Sequence, residues 1–410
     1  MTNENYKTSN DKMICALTAF MFASFFIFEL YSWGKYLFLA ITATVAFIHF
    51  RFSRNESIKI VFENFQIRLL YFAIFCFASA LWAWVPSSAF QSGLTIIEIL
   101  LCYSMFYEHF KQKDNIGSLF TAIKWGANIV IVYTIVYYGG LFGIATAATI
   151  SELRLENGFS NINELGMLAA IVCILQLNDY YQRKKISWDI IFVIPAILVV
   201  AASQSRKAFV LLILGILLLM IFKNIGQSFS VYSLYRIIIV VIVFGAGVLL
   251  IFNSGLFSGT LGRFTEDAIS SSNSSLLYNP NTLRGIYKLV GWKQFLKTPL
   301  LGIGMGSSAR MIHQNVGIST YTHDNYIELL SSGGLLGFTI YYSIYAFLLR
   351  RFIKFRKLDP EYSDICLVLL LLLLIADTAL VSFSSKERYM YLMLMFIETE
   401  RINNYKTEME

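Results

Sequence analysis

The chain has 410 residues, of which 57% are hydrophobic and 14% are charged, and its formal net charge at pH 7 is +7. A soluble chain of this length would carry about a quarter charged residues. The apolar residues are grouped in blocks of roughly 18–25 residues, the length of a helix that spans a bilayer. The composition therefore excludes a soluble globular enzyme and predicts an all-α, polytopic membrane protein.

Twelve apolar blocks are predicted to span the membrane. They lie at residues 13–32, 34–50, 67–85, 89–108, 119–142, 161–178, 187–203, 205–222, 234–253, 326–349, 363–382 and 387–399, and the last is short enough to be a re-entrant segment. The first block follows a polar stretch, 1–12, without the small-residue cleavage site that ends a signal peptide. We therefore expect this block to remain as the first spanning helix.

The lysines and arginines predict the orientation of these spans. They are concentrated in alternate loops, and this pattern is typical of loops on the cytoplasmic side of a plasma membrane. Twelve spans would then leave both termini in the cytoplasm. The net charge is explained by this topology, and it does not indicate binding to nucleic acid.

One connection, 254–325, is much longer than the others and is predicted to lie on the outer face. It contains an amphipathic stretch, 281–298, with apolar residues at helical spacing, and Pro299 stops the pattern. The expected organisation is nine helices over 1–253, the outer loop over 254–325, and three helices with a short cytoplasmic tail over 326–410. Structured loops of this length usually have a function.

The sequence offers no pattern for a metal or a disulfide framework. All five cysteines lie in apolar blocks without a CxxC pair, and there is no HExxH or DxD sequence. We therefore expect chemistry that depends on arginine and histidine, with no metal and no cofactor.

Two pairs of cations are candidates for binding an anion. Arg206 and Lys207 lie at the outer end of a span, where the positive-inside pattern does not account for them, and they need a partner or a polar cavity. Arg284 and Lys288 are four residues apart on one face of the amphipathic helix, and Arg284 stands near its start, against the helix dipole. The alternative for Arg206 and the two lysines is contact with the membrane interface and lipid headgroups.

The segment that follows the amphipathic helix is rich in glycine. Gly302 and Gly304 alternate in the sequence PLLGIGMGSS, which would let a ligand approach the backbone closely, although loops are rich in glycine in any case. Arg310 is a further candidate for contact with the substrate.

His323 is the candidate general base. Asn325 is predicted to cap the next helix, with Glu328 completing a capping box, so that His323 stands just before a helix N-terminus. The positive end of a helix favours a neutral imidazole, which a general base requires. Asp324 is a weaker candidate for orienting the ring, and the alternative for His323 is an ordinary interface histidine.

Three motifs follow one another along the chain. The first is S-x-S-R, here ending at Arg206. The second is an arginine that opens an outer helix, followed by Trp, Pro and a G-x-G segment, here Arg284, Trp292, Pro299, Gly302 and Gly304. The third is an H-[ND] sequence followed by spaced glycines, here starting at His323. In this order the motifs resemble those of the O-antigen polymerase and O-antigen ligase superfamily of bacterial envelope enzymes.

The resemblance implies a reaction at the outer face of the inner membrane. A glycan on undecaprenyl diphosphate would be transferred to a sugar hydroxyl, with Arg206 and Arg284 on the diphosphate and His323 deprotonating the hydroxyl. Lys207, Lys288, Gly302, Gly304, Arg310, Asp324 and Asn325 are the further residues expected to contact the substrate. The expected partners are this lipid-linked oligosaccharide and the bilayer, with a chain-length regulator protein as a further candidate.

The superfamily contains two activities, and a third class of protein stays open. The sequence SFSSKERYMYLMLMF near the end favours a polymerase, whose acceptor is a second lipid-linked repeat unit. A ligase would use lipid A-core as the acceptor. A flippase of lipid-linked glycans would also need many spans, but its cations would line a central cavity and would not cluster at the outer face.

Overall fold

The computed structural model describes residues 3–52, 62–111, 116–150, 155, 158–183, 191–225, 232, 235, 238, 242, 257, 260, 280–356 and 358–409. Over these residues α-helices joined by turns and loops form the fold, and no β-strand is present. The helices are α1 (Asn3–Ile27), α2 (Gly34–Phe52), α3 (Asn64–Ser79), α4 (Pro86–Phe110), α5 (Ile116–Tyr137), α6 (Gly140–Thr149), α7 (Ile162–Arg183), α8 (Val193–Ser203), α9 (Arg206–Ile225), α10 (Pro280–Lys297), α11 (Ser308–Val316), α12 (Asn325–Phe355), α13 (Pro360–Asp377) and α14 (Lys386–Met409).

The helical class of the fold is confirmed. Among the described helices, α4, α5, α7, α9 and α12 are long and apolar enough to cross a membrane, and shorter apolar segments lie in α2, α3, α6 and α8. The predicted span 234–253 lies largely outside the described residues, as does most of 254–279. The total of twelve spans therefore stays a prediction.

Two of the predicted spans differ from the structure by more than the position of their ends. The block 119–142 is divided between α5 and α6, because Gly139 and Gly140 both have positive φ angles and break the helix. The last block, predicted to be short, belongs to the 24-residue helix α14. Residues 388–399 of α14 are buried without exception, and α14 contacts α1, α3, α4, α5, α12 and α13. This helix therefore lies in the core of the bundle.

The amphipathic helix predicted in the long loop is confirmed as α10. Its apolar face is buried through Tyr287, which forms a small cluster with Ile303, Met311 and Ile312 of the following segment. The charged face stays accessible, as at Lys293. Since α10 also packs against α12, with Gly291 beside Ile327, this part of the loop is held against the start of that helix.

A break in α12 receives the glycine-rich segment that follows α10. Gly334 has φ +61° and ψ −166°, which are not helical values. The amides of Leu335 and Leu336 donate to the carbonyls of Pro299 and Leu300, at 2.8 and 3.1 Å, instead of to their own helix. The loop 299–302 thus replaces the hydrogen bonds that the kink removes from α12.

The glycines of this region are explained by contacts within the protein. A Cβ atom on Gly302 would lie 2.4 Å from the backbone of Ser332, and one on Gly304 would lie 2.2 Å from the Cβ of Ala83. We expected these glycines to admit a ligand, and in the structure they admit neighbouring protein atoms. Contact of Gly302 and Gly304 with the substrate stays a prediction without support from this packing.

Substituting Gly334 with alanine tests the kink. A Cβ atom at Gly334 would lie 2.4 Å from the backbone of Leu300 and would force a positive φ on a non-glycine residue. Gly334→Ala is expected to lower the free energy of unfolding by roughly 1–3 kcal/mol. Gly285→Ala is the control, since a Cβ there meets nothing within 4 Å. Thermal unfolding in detergent measures both variants, and equal melting temperatures would contradict the role of the kink.

Candidate active site

Two short turns place the predicted site residues, and both turns are strained. Among the described residues, Gln204 and His323 are the non-glycine residues with positive φ, at 47° and 57°. Gln204 lies in the turn between α8 and α9, directly before Ser205 and Arg206, and its side-chain amide donates to the carbonyls of Ala147 and Ile150 at 2.9 and 2.8 Å. Such strain is tolerated where surrounding contacts fix it, often at functional sites.

The His323 imidazole contacts two tyrosine rings. The Tyr321 ring centroid is 4.1 Å away, and the Tyr287 ring is nearly parallel at 6.1 Å. The sequence showed Tyr287 only as an apolar position of an amphipathic helix, and no pattern identified Tyr321. These rings limit the directions from which a substrate can reach the half-buried imidazole.

The cap of α12 differs from the prediction by one residue. Asp324 is the N-cap, and its Oδ1 accepts the amides of Tyr326 and Ile327 at 3.0 and 3.1 Å. Asn325 is already helical, so the prediction that it caps the helix is wrong. Asp324 is therefore used to hold the helix start, and no described hydrogen bond connects it to the imidazole.

Glu328 does not form the capping box with Asn325 that the sequence predicts. Its carboxylate accepts hydrogen bonds from the Thr322 amide at 3.1 Å, from the Thr322 hydroxyl at 2.8 Å, and from the hydroxyl of Ser308. Because Thr322 precedes His323, this buried carboxylate fixes the turn that presents the imidazole. It also connects the turn to α11.

Lys207 and Lys288 converge on the end of α13. The Lys288 ammonium donates to Asp324 Oδ2 and to the Thr378 carbonyl, both at 2.8 Å. The Lys207 ammonium donates to the Ala379 carbonyl at 2.8 Å. The carbonyls at a helix C-terminus favour cations. These bonds, rather than exposure to the membrane interface, account for the position of both lysines.

The predicted cations form one electrostatic group. The positive charges of Arg284, Lys288 and Arg206 all lie close enough to Lys207 to repel its ammonium group. Arg206 opens α9, and Arg284 stands one helical turn before Tyr287 in α10. The fold thus brings together four cations from helices that are far apart in the sequence.

These cations also set the protonation of the histidine. Burial is the largest cause that lowers the pKa of His323, to about 4, and the charges of Arg284, Lys207 and Lys288 lower this pKa further. The imidazole is therefore neutral at pH 7. The sequence predicted a neutral imidazole from the helix dipole, whereas the structure assigns it to burial and to the neighbouring cations.

Arg310 and Asn325 are both hydrogen-bonded within the protein. The Arg310 guanidinium donates to the Trp84 carbonyl at 2.7 Å, on the connection between α3 and α4. Asn325 is fully buried. Its Oδ1 accepts the amides of Ser382 and Phe383 at 2.9 and 3.1 Å. This conformation offers no surface of Asn325 to a substrate.

Carboxylates near the site were missed in the sequence. Burial raises the pKa of Tyr321, and the charges of Glu164 and Glu29 act in the same direction. Glu29 accepts hydrogen bonds from the Ser160 hydroxyl at 2.5 Å and the Asn161 amide at 3.0 Å. Charges of both signs therefore act on Tyr321, since Arg284 opposes the effect of these carboxylates.

The fold and this site define a polytopic helical membrane protein with a cationic, histidine-containing centre where helix ends meet. Residues 190–342 match the family model described as O-antigen ligase, a segment that contains His323 and all four cations. The match confirms the resemblance to the O-antigen polymerase and ligase superfamily, and it implies an enzyme of glycosyltransferase type. A search of curated proteins finds no match to the chain.

The depressed pKa of His323 can be tested by removing a cation. Arg284→Gln takes away one positive charge that disfavours the imidazolium, so the pKa of His323 is expected to rise from about 4 towards the ordinary histidine value. Histidine NMR in detergent measures the pKa, with His323→Gln to assign the signal. Lys293→Gln is the control, because this exposed lysine of α10 is not among the charges that act on His323. An unchanged pKa in Arg284→Gln would contradict the electrostatic grouping.

Proposed function

We propose that the protein is a polymerase of a surface polysaccharide of the O-antigen or capsule type. It transfers the growing glycan from undecaprenyl diphosphate to a sugar hydroxyl of another lipid-linked repeat unit. The observation that carries the proposal is the neutral imidazole of His323 within reach of the charges of Arg284, Lys207 and Lys288. A base for a hydroxyl and a cationic group for a diphosphate are the two elements that this transfer requires.

The proposed step is a displacement at the anomeric carbon of the donor glycan. The hydroxyl oxygen of the acceptor forms the new glycosidic bond while its proton passes to His323. The bond between the anomeric carbon and the diphosphate oxygen breaks, and undecaprenyl diphosphate leaves with the electron pair. Arg206 and Arg284 stabilise the charge of this leaving group, because guanidinium groups bind phosphate oxygens in a bidentate manner.

The lysines contribute in another way. Lys207 and Lys288 are already bonded to the carbonyls of Ala379 and Thr378, which fixes their position. They add positive charge around the diphosphate without having to move. Such preorganised charge stabilises a developing anion without reorganisation at the moment of reaction.

Binding of the donor would also change the pKa of His323. The cations that lower the pKa of His323 are those assigned to the diphosphate. An anion among them offsets their charge and favours the imidazolium, so the pKa of His323 rises when the donor binds. The histidine thus becomes a stronger base only in the complex with its substrate.

The proposed location follows from the same arrangement. The site lies on the side of the helices where we predict the outer face of the bacterial inner membrane, so lipid-linked glycans would enter from the outer leaflet. Both termini would lie in the cytoplasm. Undecaprenyl-diphosphate-linked oligosaccharide is the proposed substrate, and a chain-length regulator is the proposed protein partner.

A ligase is the second candidate, because the matching family model carries the description O-antigen ligase. The two activities share the donor, the leaving group and the base. They differ only in the acceptor, which for a ligase is lipid A-core. The choice of acceptor therefore decides between them.

Reconstitution in liposomes tests the proposed function. With undecaprenyl-diphosphate-linked repeat units as the sole glycan substrate, the protein is expected to produce a ladder of lengthening products on a gel. His323→Ala is expected to reduce the rate by roughly 100-fold or more, since a general base contributes about 10²–10⁴. His313→Ala is the matched control, an exposed histidine on α11, and it should keep the ladder.

Two outcomes would contradict the proposal. Transfer that requires lipid A-core would make the protein a ligase. A full ladder from His323→Ala would remove the histidine from the chemistry.

A further inference from the structure

A groove runs between α3 and α12, away from His323. It consists of two adjoining cavities of about 740 and 600 Å³. Arg68, Thr339 and Ser343 line both cavities, so the two adjoin along these residues. None of the residues assigned to the proposed chemistry lines it, although Tyr342, which bonds to Asn325, lines one of the cavities.

One part of the groove is apolar and accessible. Its walls are formed by Ile67, Tyr71, Ile74, Phe75, Leu336 and Ile340. Tyr71 and Ile74 are 60% and 54% exposed, which shows that this wall faces outwards from the helix bundle. In a spanning protein such a surface faces the hydrocarbon of the lipid chains.

The other part of the groove is cationic. Arg68, Arg350, Arg351 and Lys354 all line it. Among the described residues, no carboxylate lies within 4 Å of the cationic groups of Arg68, Arg350 or Lys354. Arg351 is within range of the charge of Glu400 and bonds to Asn403 Oδ1 at 3.5 Å. Of the four cations, Arg351 is thus the one for which the described residues show a nearby carboxylate.

Arg68 marks the point where the two parts meet. Its guanidinium lies over the Phe347 ring at 4.5 Å, and one terminal nitrogen donates to the Ser343 hydroxyl at 3.0 Å. Its Nε is buried and has no hydrogen-bond partner among the described residues. A buried guanidinium nitrogen without an acceptor is costly, so this position favours an anionic oxygen.

We propose that this groove binds an anionic glycerophospholipid. The phosphate of the headgroup lies among Arg68, Arg350 and Lys354, and an acyl chain follows the apolar wall between α3 and α12. The combination of chemistries favours this occupant: a helix of another protein would leave the cations unpaired, and a soluble anion would leave the apolar wall empty. Basic pockets between spanning helices are known to hold anionic headgroups.

The position separates this lipid from the donor substrate. His323 directly precedes the N-terminus of α12, whereas Arg350 and Lys354 lie near its C-terminus. After the break at Gly334, Leu335 and Arg350 are 15 residues apart, which corresponds to about 22 Å of helix and is most of the roughly 30 Å hydrocarbon core of a bilayer. Because the predicted span 326–349 leads from the outer face to a cytoplasmic loop, the headgroup would lie in the cytoplasmic leaflet, opposite His323.

Native mass spectrometry of the full-length protein, released from detergent micelles, tests the proposal. Titration with phosphatidylglycerol is expected to give adducts at concentrations at least tenfold lower than phosphatidylcholine. The double variant Arg350→Gln, Lys354→Gln should weaken phosphatidylglycerol binding by roughly 30-fold, since each basic residue near the headgroup contributes about fivefold. The matched control, Lys293→Gln with Lys297→Gln, removes two exposed lysines of α10 and should leave the binding unchanged.

A second variant tests the groove without changing a charge. Thr339 is exposed where the two cavities meet, so Thr339→Trp should fill the groove and reduce phosphatidylglycerol adducts about tenfold or more. Val136→Trp, at a 70% exposed position of α5, is its control. Equal binding of both lipids, or equal loss in variant and control, would overturn the proposal. Displacement of phosphatidylglycerol by an equal concentration of undecaprenyl diphosphate would overturn it as well, and would assign the groove to the polyprenyl lipid.

Discussion

A buried ion pair between Asp377 and Arg388 joins the ends of three helices, and the candidate active site is built on this junction. The two side chains are 3.1 Å apart and almost wholly buried, at 0% and 6% exposure. Asp377 also accepts hydrogen bonds from Tyr342 at 3.0 Å and Ser382 at 2.6 Å. Asn325 bonds to Tyr342 at 3.0 Å, which ties in the start of α12. Losing one partner of a buried pair typically costs about 3–5 kcal/mol, so the end of α13 and the starts of α12 and α14 are held in fixed positions.

The chemistry of the site follows from this fixed junction. The carbonyls that end α13 bind Lys207 and Lys288, which come from α9 and α10. Arg206 and Arg284 are carried on the same two helices. The start of α12 presents His323 beside these cations. Helix-terminal carbonyls and Asp324 offset part of the positive charge, which allows these cations to lie close together. The positive charge that is not offset remains available to an anion.

The parts of the fold that depend on nearby residues could be predicted from the sequence. The turn before Arg206 and the amphipathic helix α10 rest on local polarity and on helical spacing, and both are present in the structure. Long-range packing could not be predicted. The break at Gly334 is stabilised by the loop 299–302, and Asn325 is occupied by a network that reaches Asp377 and Ser382. No short sequence pattern shows such contacts. For this reason the sequence predicted the N-cap of α12 one residue too late, and it predicted that Gly302 and Gly304 contact a ligand.

The measurement that tests the account most directly is the pKa of His323, determined by histidine NMR in detergent with and without undecaprenyl diphosphate. The pKa is about 4 in the protein alone, because burial and neighbouring cations disfavour the imidazolium. If those cations bind the diphosphate, the added negative charge must raise this pKa, and the double variant Arg206→Gln, Arg284→Gln must reduce the rise. A pKa that does not change on binding, or that falls, would contradict the assignment of base and diphosphate site to one centre.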